Sequence, residues 1–286
     1  MPADSADAPD VTNAVGAVGP GFRIPAPETL PSLKGRVPDE EWALRCDLAA
    51  TYRLCALFGW DDLVFTHISV RAPEEGGAAR FLLNPYGLLF DEITASSLVM
   101  VDIEGSVVQE TPYFVNPAGF TIHSALHMAK GEDAHCVLHL HSDYGVAVSA
   151  QKGGLRKLTQ FSMIVHDDLA YHDYEGIALN HDERERIVAD MGDKHLLMLR
   201  NHGTLTVGEN CAIAFARMYF LESACRAQVL AQAGDPTGSD LAECGDDLST
   251  LVASQGAPGF QKGLGDALLW PALMRKLDRA LPGYDR

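Results

Sequence analysis

His139 and His141 are separated by one residue and close the apolar run Cys136-Val137-Leu138. In an extended strand, residues i and i+2 face the same side. Both imidazoles would then stand side by side at the end of a buried strand. His202, in Asn201-His202-Gly203, follows a second apolar run, Leu196-Leu197-Met198-Leu199. Neutral imidazole is a common ligand of first-row divalent cations. Three imidazoles from two strand ends leave a coordination position for substrate or water. His139, His141 and His202 are therefore the candidate metal ligands, and a divalent ion (Zn, Fe(II) or Mn) is the candidate cofactor. The competing reading is a set of core histidines that bind nothing, each of which would need a hydrogen-bond partner.

Other residues could complete such a site. His67 alternates with Phe65 and Ser69 in Phe65-Thr66-His67-Ile68-Ser69. It lies near a strand start and could touch substrate or serve structure alone. His123 and His127 are four apart on one helix face; His123 is the nearer to a pocket, with His127 at the surface. Tyr86, Tyr171 and Tyr174 could donate protons or line the pocket, and Arg71 could pair with a substrate carboxylate. His166 and His172 stand beside acidic residues, His135 reads as structural, and His181 and His195 read as caps or surface groups. Gly203 permits close backbone approach, and Asn201 could orient the turn.

These residues are spread over alternating element types. Residues 1–38, rich in Ala, Pro, Gly and Asp, read as a flexible arm. A helix is expected after Pro38, with Asp39-Glu40-Glu41 in its first turn. Strands are expected in LVFTHISVR, ARFLLN, 135–141, LLMLRN and TLTVG, with a hairpin around Glu104-Gly105. DLAYHDY and GIAL read as short strands or loops. Helices are expected over 119–130, in DYGVAVSAQ, over 182–191 and from Ala212 to about Ala233. Residues from Gly234 to Gly265 read as a linker. LLWPALMRKLDRAL reads as a terminal helix that packs on its own domain or on a neighbouring subunit. The division is thus 1–38, 39–235 and 236–286, around a β-rich centre flanked by helices.

The chain has 286 residues, 47% hydrophobic, with a formal net charge of -17. That suits one large domain. No basic stretch resembles a nucleic-acid footprint, and the overall field would repel phosphate backbones. The six cysteines show no CxxC spacing and read as free thiols in a reducing compartment. With neither a signal peptide nor an apolar run long enough to span a membrane, a cytoplasmic location is expected.

The segments FTHISVR, NPYGLLFDEIT, NPAGFTIHSALH, CVLHLH, LAYHDYEGIAL and LRNHGTLTVG, in this order, resemble the class II aldolase/adducin family over about residues 39–235. The resemblance implies an α/β, three-layer fold with a central mixed, mainly antiparallel sheet between helices. It also implies homotetramers with sites near subunit interfaces. In the family's sugar-phosphate aldolases three histidines, similar to His139, His141 and His202, hold a zinc used in carbon–carbon cleavage. Their catalytic glutamate precedes a helix histidine that resembles His123, and its position falls on Gly119, which has no carboxylate. The phosphate loops resemble FTHIS, Asn84-Pro85-Tyr86-Gly87 and Pro117-Ala118. Here His67 and Tyr86 replace small polar groups, and the third loop has no hydroxyl. Lost donors would leave phosphate oxygens unpaired, and Tyr86, Phe120 and Tyr174 make the pocket more apolar.

The substrate expected is therefore a non-phosphorylated small-molecule carboxylic acid, an aromatic or branched 2-oxo or hydroxy acid. Asn84, Tyr86, Gly87, Phe120, Arg71 and Tyr174 are the candidate substrate contacts, and His123, His67 and Tyr171 the candidate catalytic groups. Decarboxylation or aldol cleavage is the expected lyase chemistry. The alternatives are oxidative decarboxylation by a non-haem Fe(II) oxygenase, and a non-catalytic assembly module like the animal adducins.

Overall fold

Seven strands build one sheet: β1 (His67–Glu75), β2 (Ala78–Leu83), β3 (Val99–Val101), β4 (Cys136–Leu140), β5 (Leu169–His172), β6 (Leu196–Leu199) and β7 (Gly203–Gly208). Their order across the sheet is β3-β2-β1-β4-β7-β6-β5. Every neighbouring pair is antiparallel except β5 and β6, which run parallel. The computed structural model describes residues 23–176, 183–235, 237–256 and 263–286. The expected GIAL segment lies almost entirely outside them, as does His181.

Helices cover both faces of the sheet: α1 (Asp39–Phe58), α2 (Pro117–Lys130), α3 (Asp143–Ser149), α4 (Gln160–His166), α5 (Glu183–Met191), α6 (Cys211–Gly234), α7 (Asp246–Gln255) and α8 (Trp270–Ala280). The chain is α/β, with the mixed sheet between helix layers. Local chemistry sets the helix ends. Three acidic residues occupy the first turn of α1, and Gly59, at φ 69°, closes it with a left-handed cap. Asn210 caps α6 by accepting the Ile213 N–H at 2.9 Å.

The two-residue period of the strands sorts side chains between the layers. On β4, Cys136, Leu138 and Leu140 join the core under α1 and α6. Val137 faces the other way and packs with Ile122 and Leu126 of α2 and Ile187 and Met191 of α5. On β1, Ile68, Val70 and Ala72 enter the α1 core. His67 and Ser69 therefore face α2, as His139 does.

Several segments depart from the sequence-based expectation. The first strand begins at His67, not Leu63, because Leu63 (φ 49°) and Thr66 (φ 65°) take left-handed conformations incompatible with a strand. The 236–286 segment carries α7, and α4 precedes β5; neither helix was expected. Within 1–38, the described part is docked, with Leu30 packed on the core and the Tyr113 hydroxyl donating to Pro25 O at 2.9 Å. The terminal helix packs on its own chain: Leu277 of α8 is fully buried against α1. The following residues receive the Ala95 and Ser96 N–H groups on the carbonyls of Tyr284 and Arg286. All six cysteines are free. Among the described residues no helix is long and apolar enough to cross a membrane.

Candidate metal centre and histidine chain

β4 ends on His139 and Leu140, and alternation returns His141 to the His139 face. The tight connection from β6 to β7 delivers His202 beside them. Asn201 turns there at φ 56°, a left-handed position that Asn tolerates well, and the His202 N–H donates to Leu199 O at 3.1 Å. Gly203 then passes so close to β4 that a Cβ on it would lie 2.3 Å from Leu140 O and 3.2 Å from His141 Cδ2. The result is a triangle of imidazoles, each ring centroid 4.8 Å from the other two.

The donor set suits a divalent cation. One nitrogen from each ring lies within 4.8 Å of the others, and the Nε2 atoms of His139 and His141 are 3.1 Å apart. Tetrahedral ligands at usual Zn–N lengths sit about 3.3 Å apart, so small ring movements would close the shell. The opposite nitrogens are already engaged. His139 Nδ1 donates to Thr204 O at 3.0 Å, and His141 Nδ1 lies 3.1 Å from Asp62 Oδ2. Such outer partners fix the tautomer and aim the Nε2 lone pair inward. Burial, reinforced by the neighbouring imidazoles, holds His139 well below the usual histidine range and lowers His202 to about 4. Both rings are therefore neutral at physiological pH, the form that binds metal.

A second file of histidines begins next to this triangle. His67 pairs with His139 across β1 and β4, their ring centroids 5.4 Å apart. From His67 the contacts run His67 Nδ1 to His123 Nε2, 2.7 Å; His123 Nδ1 to Ser69 Oγ, 2.6 Å; Ser69 Oγ to His127 Nε2, 2.7 Å; and His127 Nδ1 to Ala134 O, 2.6 Å. Burial lowers His67 and His127 to about 3 and pushes His123 well below the usual range. His127, expected at the surface, is fully enclosed, because α2 lies flat on the β1–β4 face and its i, i+4 stripe points into the sheet.

A narrow cleft opens beside His67, lined also by Thr66, Leu83, Asn84, Tyr86 and Asn116. Asn84 is buried, its Oδ1 accepting from Tyr52 OH at 2.8 Å. The Thr66 hydroxyl is buried without a hydrogen-bond partner among the described residues. On the other side of the triangle, Tyr174 is exposed, its ring 6.2 Å from His202. It shares a second small cleft with His172, Glu183 and Arg200. His172 is buried, and its Nδ1 donates to Asp190 Oδ2 at 2.7 Å.

The remaining expected site residues lie elsewhere in this chain. Tyr171 precedes His172 on β5 and so faces the opposite side of the sheet. Its hydroxyl accepts the Leu155 N–H at 3.0 Å, and Arg200 covers its ring. Arg71 pairs with Glu74 at 2.7 Å near the sheet margin. Phe120 is core, its ring tilted against Phe81 with centroids 5.3 Å apart. Gly87, at φ 101°, lies under Ile24, whose Cδ1 is 2.2 Å from where a Cβ would be. Gly119 stands in the first turn of α2, four residues before His123. Sequence reasoning missed Asp62, Ser69 and the depth of His127. Only the alternation of Ser69 with His67 pointed to any of them.

Residues 46–229 match the family model described as the Class II Aldolase and Adducin N-terminal domain. A Caulobacter vibrioides protein, whose name assigns it provisionally to the class 2 aldolases, is 58% identical over 260 residues, covering 88% of this chain and 96% of its own. Mouse alpha-adducin is 42% identical over 250 residues, which cover 83% of this chain and 33% of that protein. Among solved structures, an aldolase II superfamily protein from Pseudomonas syringae superposes with a TM-score of 0.80 at 44% identity, over 90% of this chain and all of the other. An L-fuculose 1-phosphate aldolase from Glaciozyma antarctica superposes at 0.70 with 29% identity, over 89% of this chain and 96% of its own. The chain belongs to the class II aldolase and adducin family.

Proposed function

We propose that this chain is a metal-dependent carbon–carbon lyase, a decarboxylase or aldolase, acting on a non-phosphorylated 2-oxo or hydroxy acid with an aromatic or branched side chain. The observation that carries the reading is the convergence of three imidazoles, two of them braced by Thr204 O and Asp62. His139, His141 and His202 would hold the cation, which supplies Lewis-acid polarisation of a carbonyl when bound. The adjoining cleft at His67, Asn84 and Tyr86 has no Lys or Arg in its described lining, which favours a hydroxyl or ring over a phosphate. His67 would touch the substrate, and Tyr174 would wall the open side.

The same reading takes residues 39–235 as the catalytic domain, 236–286 as an extension, and a cytoplasmic homotetramer with sites near its interfaces as the working form. The fuculose-phosphate aldolase neighbour supports an enzyme. The 42% identity to alpha-adducin favours a second reading, an assembly module. The retained triad argues against it, because three convergent imidazoles, one buried and two half-buried, serve metal chemistry better than packing.

Anaerobic reconstitution with Zn(II), Mn(II) or Fe(II), then assay of aromatic 2-oxo acids with and without oxygen, tests the proposal. Carbon dioxide, or an aldehyde with pyruvate, formed without oxygen supports the lyase. Oxygen uptake tied to carbon dioxide release would replace it with the Fe(II) oxygenase. Failure to retain any metal, with the His202→Ala variant indistinguishable from the parent, would leave the assembly module.

A further inference from the structure

We infer that the file of buried groups behind the triangle fixes His67 as a hydrogen-bond acceptor toward substrate, with Ser69, His123 and His127 as positioning residues that set its tautomer. This rests on the proposed site, whose substrate contact at His67 it specifies. The argument is one of counting protons. Ala134 O can only accept, so His127 Nδ1, 2.6 Å away, carries a hydrogen and donates it. A neutral His127 then has a bare Nε2, which must accept the Ser69 hydroxyl proton across 2.7 Å. Ser69 has no second proton, so its oxygen accepts from His123 Nδ1 at 2.6 Å. That leaves His123 Nε2 bare, and it accepts from His67 Nδ1 at 2.7 Å.

Each step has one solution, and the last leaves the lone pair on His67 Nε2, which no described group engages. His67 is only partly buried and lines the cleft, so this nitrogen is the one available to a ligand. The opposite polarity needs a doubly protonated His127. Burial keeps that ring, with no solvent exposure at all, far from the charged form at neutral pH.

The consequence is a choice of ligand chemistry. A bare Nε2 welcomes an O–H donor, a hydroxy acid's alcohol or an enol, and repels the acceptor oxygens of a phosphate. His123, with both nitrogens spent inside the file, is not free to act on substrate itself. Ser69 and His127 touch no substrate and act through His123.

Neutron diffraction of the deuterated full chain at pH 7 reads the tautomers directly. Deuterium on Nδ1 of His67, His123 and His127, with the Ser69 deuteron toward His127, is the expected result; deuterium on His67 Nε2 overturns the inference. Mandelate, a hydroxy acid, serves as the binding probe, with inorganic phosphate as the contrasting one. Ser69→Ala breaks the file and is expected to weaken mandelate binding about 10-fold, the scale of one hydrogen bond. His127→Gln preserves the polarity, because its amide N–H₂ can donate to Ala134 O while its Oε1 accepts from Ser69. It should bind mandelate like the parent. Equal losses in both variants, no loss in Ser69→Ala, or tighter binding of phosphate than of mandelate would each overturn it. Metal content measured in every sample separates failure of the lyase proposal, since the tautomers remain readable in metal-free protein.

Discussion

The carboxylate of Asp62 lies 3.1 Å from His141 Nδ1, so a residue outside the triangle sets the orientation of one of its corners. A turn closed by the Phe65 N–H on Asp62 O, at 2.8 Å, holds the carboxylate there. Asp62→Ala is expected to weaken metal binding about 10- to 100-fold, the usual effect of losing such an outer partner. The fold should be unaffected, since the Asp62 side chain is 40% exposed. Chelator competition measures the affinity; an unchanged value would mean that His141 needs no brace.

How the sheet reads out of sequence depends on period and register. Alternation placed His139 and His141 on one face because β4 is regular through that stretch. His67 joined them because Ile68, Val70 and Ala72 are apolar and claim the opposite face. The same rule separates Tyr171 from His172 on β5, where a slip of one residue exchanges the two faces. No local pattern in LAYHDY reveals which of the two looks toward the triangle. Asp62 was hidden for another reason: it meets His141 across 79 residues of sequence, from a turn built on left-handed Leu63. His127 was misread because helical spacing gives a face but no depth. An imidazole stripe resembles a solvated one until the partners that satisfy its nitrogens, Ser69 and Ala134 O, are known.

The buried chain makes stability depend on pH. His123 and His127 are at most 1% exposed, and burial depresses both below the ordinary histidine value of about 6.5. Between about pH 6.5 and pH 3 for His127, the unfolded chain binds a proton that the folded one refuses. Stability is therefore complete above this window and is lost as pH falls through it, at about 1.4 kcal/mol per pH unit for each such histidine. Urea unfolding at pH 7, 6, 5 and 4 should show the decline. His127→Gln should reduce the slope by about one histidine's worth over the same range. A parent and variant with the same pH slope would show that His127 is charged in the native state.

Gly203→Ala tests the close approach of β7 to its neighbour β4. A Cβ placed 2.3 Å from Leu140 O cannot be accommodated by rotating a side chain, because the obstacle is backbone. The strands must part where His139, His141 and His202 meet. The expected cost is about 1–3 kcal/mol of stability, as for other overpacked interiors, together with weaker metal retention as His141 Cδ2 is displaced. Thermal unfolding and metal competition report the two effects separately. Full stability with parental affinity would mean that the β4–β7 pair tolerates a wider gap.

Thr66 carries a conflict between stability and binding. It is a β-branched residue at φ 65°, and its buried hydroxyl finds no partner among the described residues. Left-handed backbone at such a residue costs about 1–3 kcal/mol, and an unsatisfied buried hydroxyl costs a similar amount. Strain of this kind persists where the surroundings enforce it. Here β1 begins at the next residue, His67, and Thr66 belongs to the lining of the cleft that His67 shares with Asn84 and Tyr86. Thr66→Gly removes both penalties, at an entropic cost of about 1 kcal/mol for the added chain freedom. The variant is expected to unfold at a higher temperature than the parent and to bind mandelate more weakly, because the hydroxyl freed from protein partners is the one a ligand would engage. A lower unfolding temperature would show that the left-handed turn is relaxed. Unchanged binding would show that the Thr66 hydroxyl faces no ligand.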